Sequence, residues 1–185
     1  MSKIFAAAFL VTTAFLSAAF SQKTFSSSTG QIGGSGFVRA PISNPISTSS
    51  ENIAATEKEA FDLINKQRAD AGLSALIWRE DLANLARVHS RDMAEQKYFS
   101  HRGSDGSMVD ERADKLGIRS WSAIGENIAF LRGFDDAASF AVGRWMESTA
   151  HRQNLLDKRW KESGIGVAIL PDGTYYLTQV FLLRD

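Results

Sequence analysis

The chain reads as an α+β protein, a three-layer α-β-α sandwich built on a small antiparallel sheet. Three observations predict it. Residues Leu82, Leu85, Ala86, His89 and Met93 recur at helical spacing, as do Ala138, Ala141, Val142 and Trp145. A hairpin signal, Pro171-Asp172-Gly173 between two apolar runs, closes the chain. Both terminal runs are apolar on alternate and intervening positions alike, so helices must cover the sheet on each side.

The first 21 residues have the form of an export signal. Lys3 supplies a small positive region, residues 4–16 are almost unbroken apolar, and Ser17, Ala18, Ala19 and Ser21 provide small residues for cleavage. Cleavage after Ser21, releasing Gln22, is favoured over cleavage after Ala19. An uncleaved anchor is the alternative, but the apolar run is shorter than the roughly 20 residues a spanning helix needs. Residues 22–54 are rich in Ser, Thr and Gly, carry Pro41 and Pro45 and show no periodicity. Such a segment buries too little apolar surface to offset its ordering entropy, so a flexible tether is expected before a domain at 55–185.

Within that domain Thr56-Glu57-Lys58-Glu59 matches a capping box, so the first helix is expected to start at Thr56. Phe61, Ile64 and Ala71 share its buried side, and Gly72 ends it. Acidic Glu80 and Asp81 suit the start of a second helix, running to about Lys97. Residues 107–116 form a short third helix with Ser107 and Asp110 as cap pair and Gly117 as terminator. Residues 123–130 have the character of a buried strand. Asp135 is the expected cap of a fourth helix, and a helical turn follows at 154–156. The closing hairpin pairs residues 164–170 with 174–182.

Composition narrows the chemistry. The 185 residues carry 21 Lys+Arg and 21 Asp+Glu, so no net field favours nucleic acid. Cysteine is absent, which excludes thiolate metal sites, cysteine nucleophiles, disulfides and a lipidated-cysteine anchor. Only three histidines occur. His89 lies on the stripe of the second helix and reads as a core histidine donating to a backbone carbonyl. His101 follows an aromatic pair, Tyr98-Phe99, and precedes a loop with Gly103 and Gly106, a setting in which a scaffold presents a side chain to a ligand. His151 opens His151-Arg152-Gln153-Asn154, whose Asn154 is placed to bond backbone and fix a turn.

Glu126 is the sharpest anomaly, a carboxylate between Gly125 and Ile128 in a strand-like run. Buried charge must be compensated by backbone amides, a histidinium or a metal. His101, Glu126 and His151 match the two-histidine, one-carboxylate ligand set of catalytic zinc sites. Their spacing is long-range, so sequence does not show that they converge. Ser100 and Ser148 lack the context of a nucleophile elbow.

The segments Ala86-x-x-His89-Ser90-x-x-Met93, Phe99-Ser100-His101, Gly125-Glu126-Asn127-Ile128-Ala129, Trp145-Met146-x-Ser148-x-x-His151-Arg152-x-Asn154, Gly164-Ile165-Gly166-Val167-Ala168 and Thr178-Gln179-Val180-Phe181 resemble, in this order, those of the CAP superfamily. That superfamily comprises cysteine-rich secretory proteins, antigen five and plant pathogenesis-related proteins, and the His-Arg-x-Asn form without cysteines resembles its bacterial branch. The resemblance spans about residues 56–183. It implies an α-β-α sandwich with a cleft that, in many eukaryotic members, is lined by two histidines and two glutamates able to hold zinc. His101 and Glu126 map onto two of these positions. The second glutamate position is Ser148 here, and the second histidine position is Tyr176.

Three functions follow as expectations. The leading one is an exported module, periplasmic or extracellular and monomeric, whose cleft of His101, Glu126, Ser148, His151 and Tyr176 binds a small ligand, lipid, glycan or protein. It would have no stable membrane anchor after signal cleavage. The alternative is a metal-dependent hydrolase with Zn2+ on His101, His151 and Glu126, the carboxylate serving as ligand or catalytic base. The incomplete tetrad weighs against it. In the third, the polar triad is structural only.

Overall fold

A computed structural model describes residues 50–184. The expected leader at 1–21 and most of the tether lie outside the described residues. The described chain runs α1 (Ser50–Asp70), β1 (Ile77–Trp78), α2 (Glu80–Gln96), α3 (Val109–Lys115), β2 (Trp121–Arg132), α4 (Ala137–Glu147), α5 (Thr149–Leu155), β3 (Glu162–Ile169) and β4 (Thr174–Arg184). The four strands form one sheet in the order β1-β3-β4-β2.

The sheet is mixed, not purely antiparallel. β1 pairs parallel to β3 through Ile77 and Trp78, while β3–β4 and β2–β4 are antiparallel. A two-residue strand carries no readable periodicity, which is why β1 escaped the sequence. The β3–β4 hairpin turns at the expected place: Gly173 adopts φ 77° and Leu170 N–H donates to Thr174 O at 2.8 Å.

Strand alternation divides the core. Ala129, Leu131, Ile165, Val167, Leu177 and Phe181 face one side and pack against α1, α4 and the end of α5. Ile124, Ile128, Ala168, Tyr176, Val180 and Leu182 face the other and pack against α2 and α3. This is the three-layer sandwich the sequence predicts. The Gly164-Ile165-Gly166 segment explains how tightly α2 sits on it. A Cβ at Gly164 would lie 2.2 Å from Ala83 N, and one at Gly166 would lie 2.1 Å from Arg87 N, so only hydrogen fits between strand and helix backbone.

Several helix starts differ from expectation. α1 begins at Ser50, and the Thr56 hydroxyl donates to Asn52 O within the helix, so Thr56-Glu57-Lys58-Glu59 is no capping box. Glu57 instead turns inward, 2% exposed, and accepts from Arg87 Nη2 at 2.7 Å and from Val167 N at 3.1 Å. Because β1 is too short to cover β3 that far, a carboxylate from α1 does so. α3 starts at Val109, where Glu111 accepts from Met108 N, while Ser107 Oγ bonds Asp105; the Ser107–Asp110 cap pair does not form. α4 is capped by Asp136, accepting from Ser139 N at 2.9 Å, one residue after the expected Asp135. The turn expected at 154–156 is the end of a full helix, α5, which places His151 on a helix.

Candidate functional site

β2 is an edge strand, and its Gly125-Glu126-Asn127 segment meets neighbours on both faces of the sheet. Gly125 leaves room for α5: a Cβ there would lie 2.9 Å from the Trp160 ring and 3.0 Å from Asn154 Oδ1. Asn127 exchanges hydrogen bonds with α5, donating to His151 O at 3.2 Å and accepting from Asn154 Nδ2 at 3.1 Å. Glu126 points to the opposite face, beneath α2 and α3. The outer edge of the strand is closed by side chains, because bare edge carbonyls need partners. Asn154 Nδ2 donates to Glu126 O at 3.2 Å, and Trp145 Nε1 donates to Ile128 O at 2.9 Å.

The Glu126 carboxylate is almost completely enclosed, its side chain 4% exposed. Oε1 accepts from His101 Nδ1 at 2.8 Å, and Oε2 accepts from Arg112 Nη2 at 2.5 Å. His89 Nε2 lies 3.9 Å from Oε1. Burial by itself would raise the Glu126 pKa, but the His101 hydrogen bond and the Arg112 charge outweigh it and hold the carboxyl below its ordinary range. An ionised acceptor makes Nδ1 the donor, and in the neutral form of the ring Nε2 is then the acceptor nitrogen. Nε2 has no hydrogen-bond partner among the described residues, and the ring is 20% exposed.

His101 reaches this position through the end of α2. Lys97 takes a left-handed conformation, φ 56°, and Tyr98 N–H returns to Met93 O, turning the chain over the helix end. His89 is buried and bonds Ser100 O at 2.9 Å, as expected of a core histidine. Burial holds its pKa below the usual imidazole value. Four residues beyond Glu126 on β2, Phe130 is 50% exposed, and its ring centroid lies 6.0 Å from that of Phe99, itself 51% exposed. Tyr176 stands edge-on to Phe130 at 5.0 Å.

The structure bonds some of the expected residues to one another and leaves others unbonded. His101 and Glu126 are bonded. His151 lies on α5, where its carbonyl accepts from Asn127 Nδ2, and among the described residues its ring makes no hydrogen bond; burial, then the charge of His101, lowers its pKa. Ser148 sits at the α4–α5 junction, its carbonyl accepting from Arg152 N, without a bond to the cluster. Tyr176 is buried and supports Phe130. Arg112 and the Phe99–Phe130 pair went unread in the sequence. A signal for Arg112 exists: Val109, Arg112 and Ala113 share one face of α3, an arginine set in an apolar stripe.

The carboxylate of this set is not free to hold a divalent cation. Both Glu126 oxygens and His101 Nδ1 are already engaged, and a guanidinium occupies the carboxylate that a metal would need. Among the described residues no group of three or more His, Asp or Glu side chains could hold a metal ion.

The family model for CAP, the cysteine-rich secretory protein family, matches residues 61–181. The chain belongs to the CAP family. Its CAP domain is 36% identical over 129 residues to the uncharacterized membrane protein YlbC of Bacillus subtilis, covering 70% of this chain and 35% of YlbC. An extracellular SCP-domain protein from Bacillus anthracis shares the fold with a TM-score of 0.63 and 29% identity over 74% of this chain and 44% of that one. An outer surface protein of Borrelia burgdorferi has the same fold, with a TM-score of 0.62, 20% identity and coverage of 69% and 92%. The chain spans about a third of YlbC and under half of the anthracis protein, so its CAP domain is one part of what those proteins contain.

Proposed function

We propose that this CAP domain acts outside the cytoplasm as a ligand-binding module, with its ligand on the β2 surface that carries the Phe99–Phe130 pair and the partly exposed His101. The observation that carries the reading is the orientation of His101. A buried, ionised Glu126 holds the ring by Nδ1, which leaves Nε2 as the acceptor of the neutral ring on a side chain 20% exposed. Two residues before His101 in the chain, Phe99 forms a small half-exposed apolar shelf with Phe130, and exposed aromatic clusters of this kind are what binding surfaces use. The ligand class that fits has an apolar face for the rings and a hydroxyl or amide N–H to donate to Nε2, as glycans and peptides do.

Export is supported by the leader-like residues 1–21 and by the extracellular and surface descriptions of the two structural neighbours. Among the described residues no helix is long and apolar enough to cross a membrane. Zinc hydrolysis through His101, His151 and Glu126 has no support from the geometry.

The test is an NMR titration of the domain with N-acetylglucosamine oligomers, a lysophospholipid and a set of short peptides. Saturable shifts at Phe99, His101 and Phe130, weakened in Phe99→Ala and His101→Ala, are expected with one class. Shifts confined to other surfaces, or none with all three classes, would overturn the reading.

A further inference from the structure

We infer that Arg112 is a built-in cation that stands in for a metal ion and positions His101 without one. The inference goes beyond the ligand reading and holds independently of it. One guanidinium contacts both the backbone of His101 and the carboxylate that holds its ring. Nη2 donates to Glu126 Oε2 at 2.5 Å, and Glu126 in turn accepts from His101 Nδ1. Nη1 donates to the carbonyl of His101 itself at 3.0 Å and to Ser107 O at 2.8 Å, the two ends of the loop that carries the ring. The circuit therefore closes: Arg112 grips the backbone of His101 and also the carboxylate that orients its side chain.

Charge supports the same conclusion. The Arg112 side chain is 7% exposed and Glu126 4%, so the pair is neutral overall in a poorly screened place. A guanidinium cannot shed its proton to make room for a second cation. Its planar fork suits one carboxylate and two carbonyls at once, which a metal ion of fixed geometry would have to match with ligands this chain does not bring. At the positions where the family resemblance implies a second glutamate and a second histidine, this chain has Ser148 and Tyr176, neither bonded to the cluster. The change from metal to arginine is thus consistent across the site. Arg112 is a positioning residue, acting on the ligand only through His101.

The test uses the full chain with 15N-labelled histidine and long-range 1H–15N spectra, which read the His101 tautomer, together with zinc binding by equilibrium dialysis. Wild type is expected to show a protonated Nδ1 and a bare Nε2, unchanged by ZnCl2, and to retain no zinc. Arg112→Lys keeps the charge and should still refuse zinc. Arg112→Ser frees the carboxylate, so it should bind zinc at least about tenfold more tightly than wild type and mix the two tautomers. Stoichiometric zinc on wild type with shifted His101 signals would overturn the inference. So would an Arg112→Ser protein with the wild-type tautomer and no gain in zinc affinity. Should Arg112→Ser not fold, wild type and Arg112→Lys decide: zinc uptake by either overturns the inference, and refusal by both with the tautomer kept supports it. Failure of the ligand titration leaves all these readouts unmoved.

Discussion

His101 Nδ1 stands 2.8 Å from Glu126 Oε1, although 25 positions separate the two residues along the chain. The bond joins a loop beyond α2 to an edge strand, and it lies in a space where neither group is well solvated. The properties expected of the CAP domain follow from how that space is held.

Glu126→Ala removes the carboxylate and strands Arg112 as an unpaired buried cation. The expected loss is about 3–5 kcal/mol, the range for breaking a buried pair from one side. Urea unfolding of Glu126→Ala, Arg112→Met and the double variant would give the coupling. Strictly additive losses would mean the pair is not formed in solution.

Stability should fall in two stages on acidification. His89 and His151 have folded-state pKa values below the ordinary 6.5, mainly through burial. The unfolded chain therefore takes up protons first, and stability declines as pH drops below about 6.5. Glu126 has a folded pKa below its ordinary 4.5, so its contribution is present above that value and is lost as pH falls through the lower, folded one. Melting temperatures measured from pH 8 to 3 should show both stages, with the first flattened in His151→Gln. A profile level from pH 7 to 5 would contradict the buried neutral rings.

Glu57→Ala should cost about 2–3 kcal/mol, because Val167 N is left without an acceptor inside the protein and Arg87 loses its principal partner. Glu57→Gln retains an acceptor for Val167 N and should lose less. Chemical denaturation of the two variants separates the amide contribution from the charge contribution; equal losses would assign the effect to charge alone.

Gly166→Ala should be among the most damaging methyl additions in the domain, about 3 kcal/mol or more, since the new carbon would lie 2.1 Å from Arg87 N in a helix that cannot yield locally. Gly143→Ala is the contrasting case. Gly143 lies within α4 with open space beyond its Cα, so alanine should stabilise by about 0.5–1 kcal/mol. Thermal unfolding of both would check the pair of opposite signs.

Much of this arrangement was legible because it rests on local chemistry. The α2 stripe, the Gly117 terminator and the Pro171-Asp172-Gly173 turn depend on periodicity and allowed dihedral angles, and all stand as read. Thr56-Glu57 misled for a physical reason: the same Glu that would cap a helix start is worth more against a bare strand amide and a buried arginine. Glu126 was recognisable as a charge needing compensation, but the compensator was one of many arginines, and nothing local distinguished Arg112 beyond its place in the α3 stripe. His89 was read as core, and it is; that it also lies 3.9 Å from Glu126 depends on where β2 runs relative to α2.

By itself, then, the sequence determined the class of fold, the family likeness and the presence of a buried carboxylate that had to be neutralised, since these follow from patterning and from the cost of burying charge. Only the tertiary structure decided what neutralises it. That choice depends on which distant side chains the sheet edge and the α2–α3 layer bring within about 3 Å, the range over which hydrogen bonds act, and no spacing along the chain encodes it.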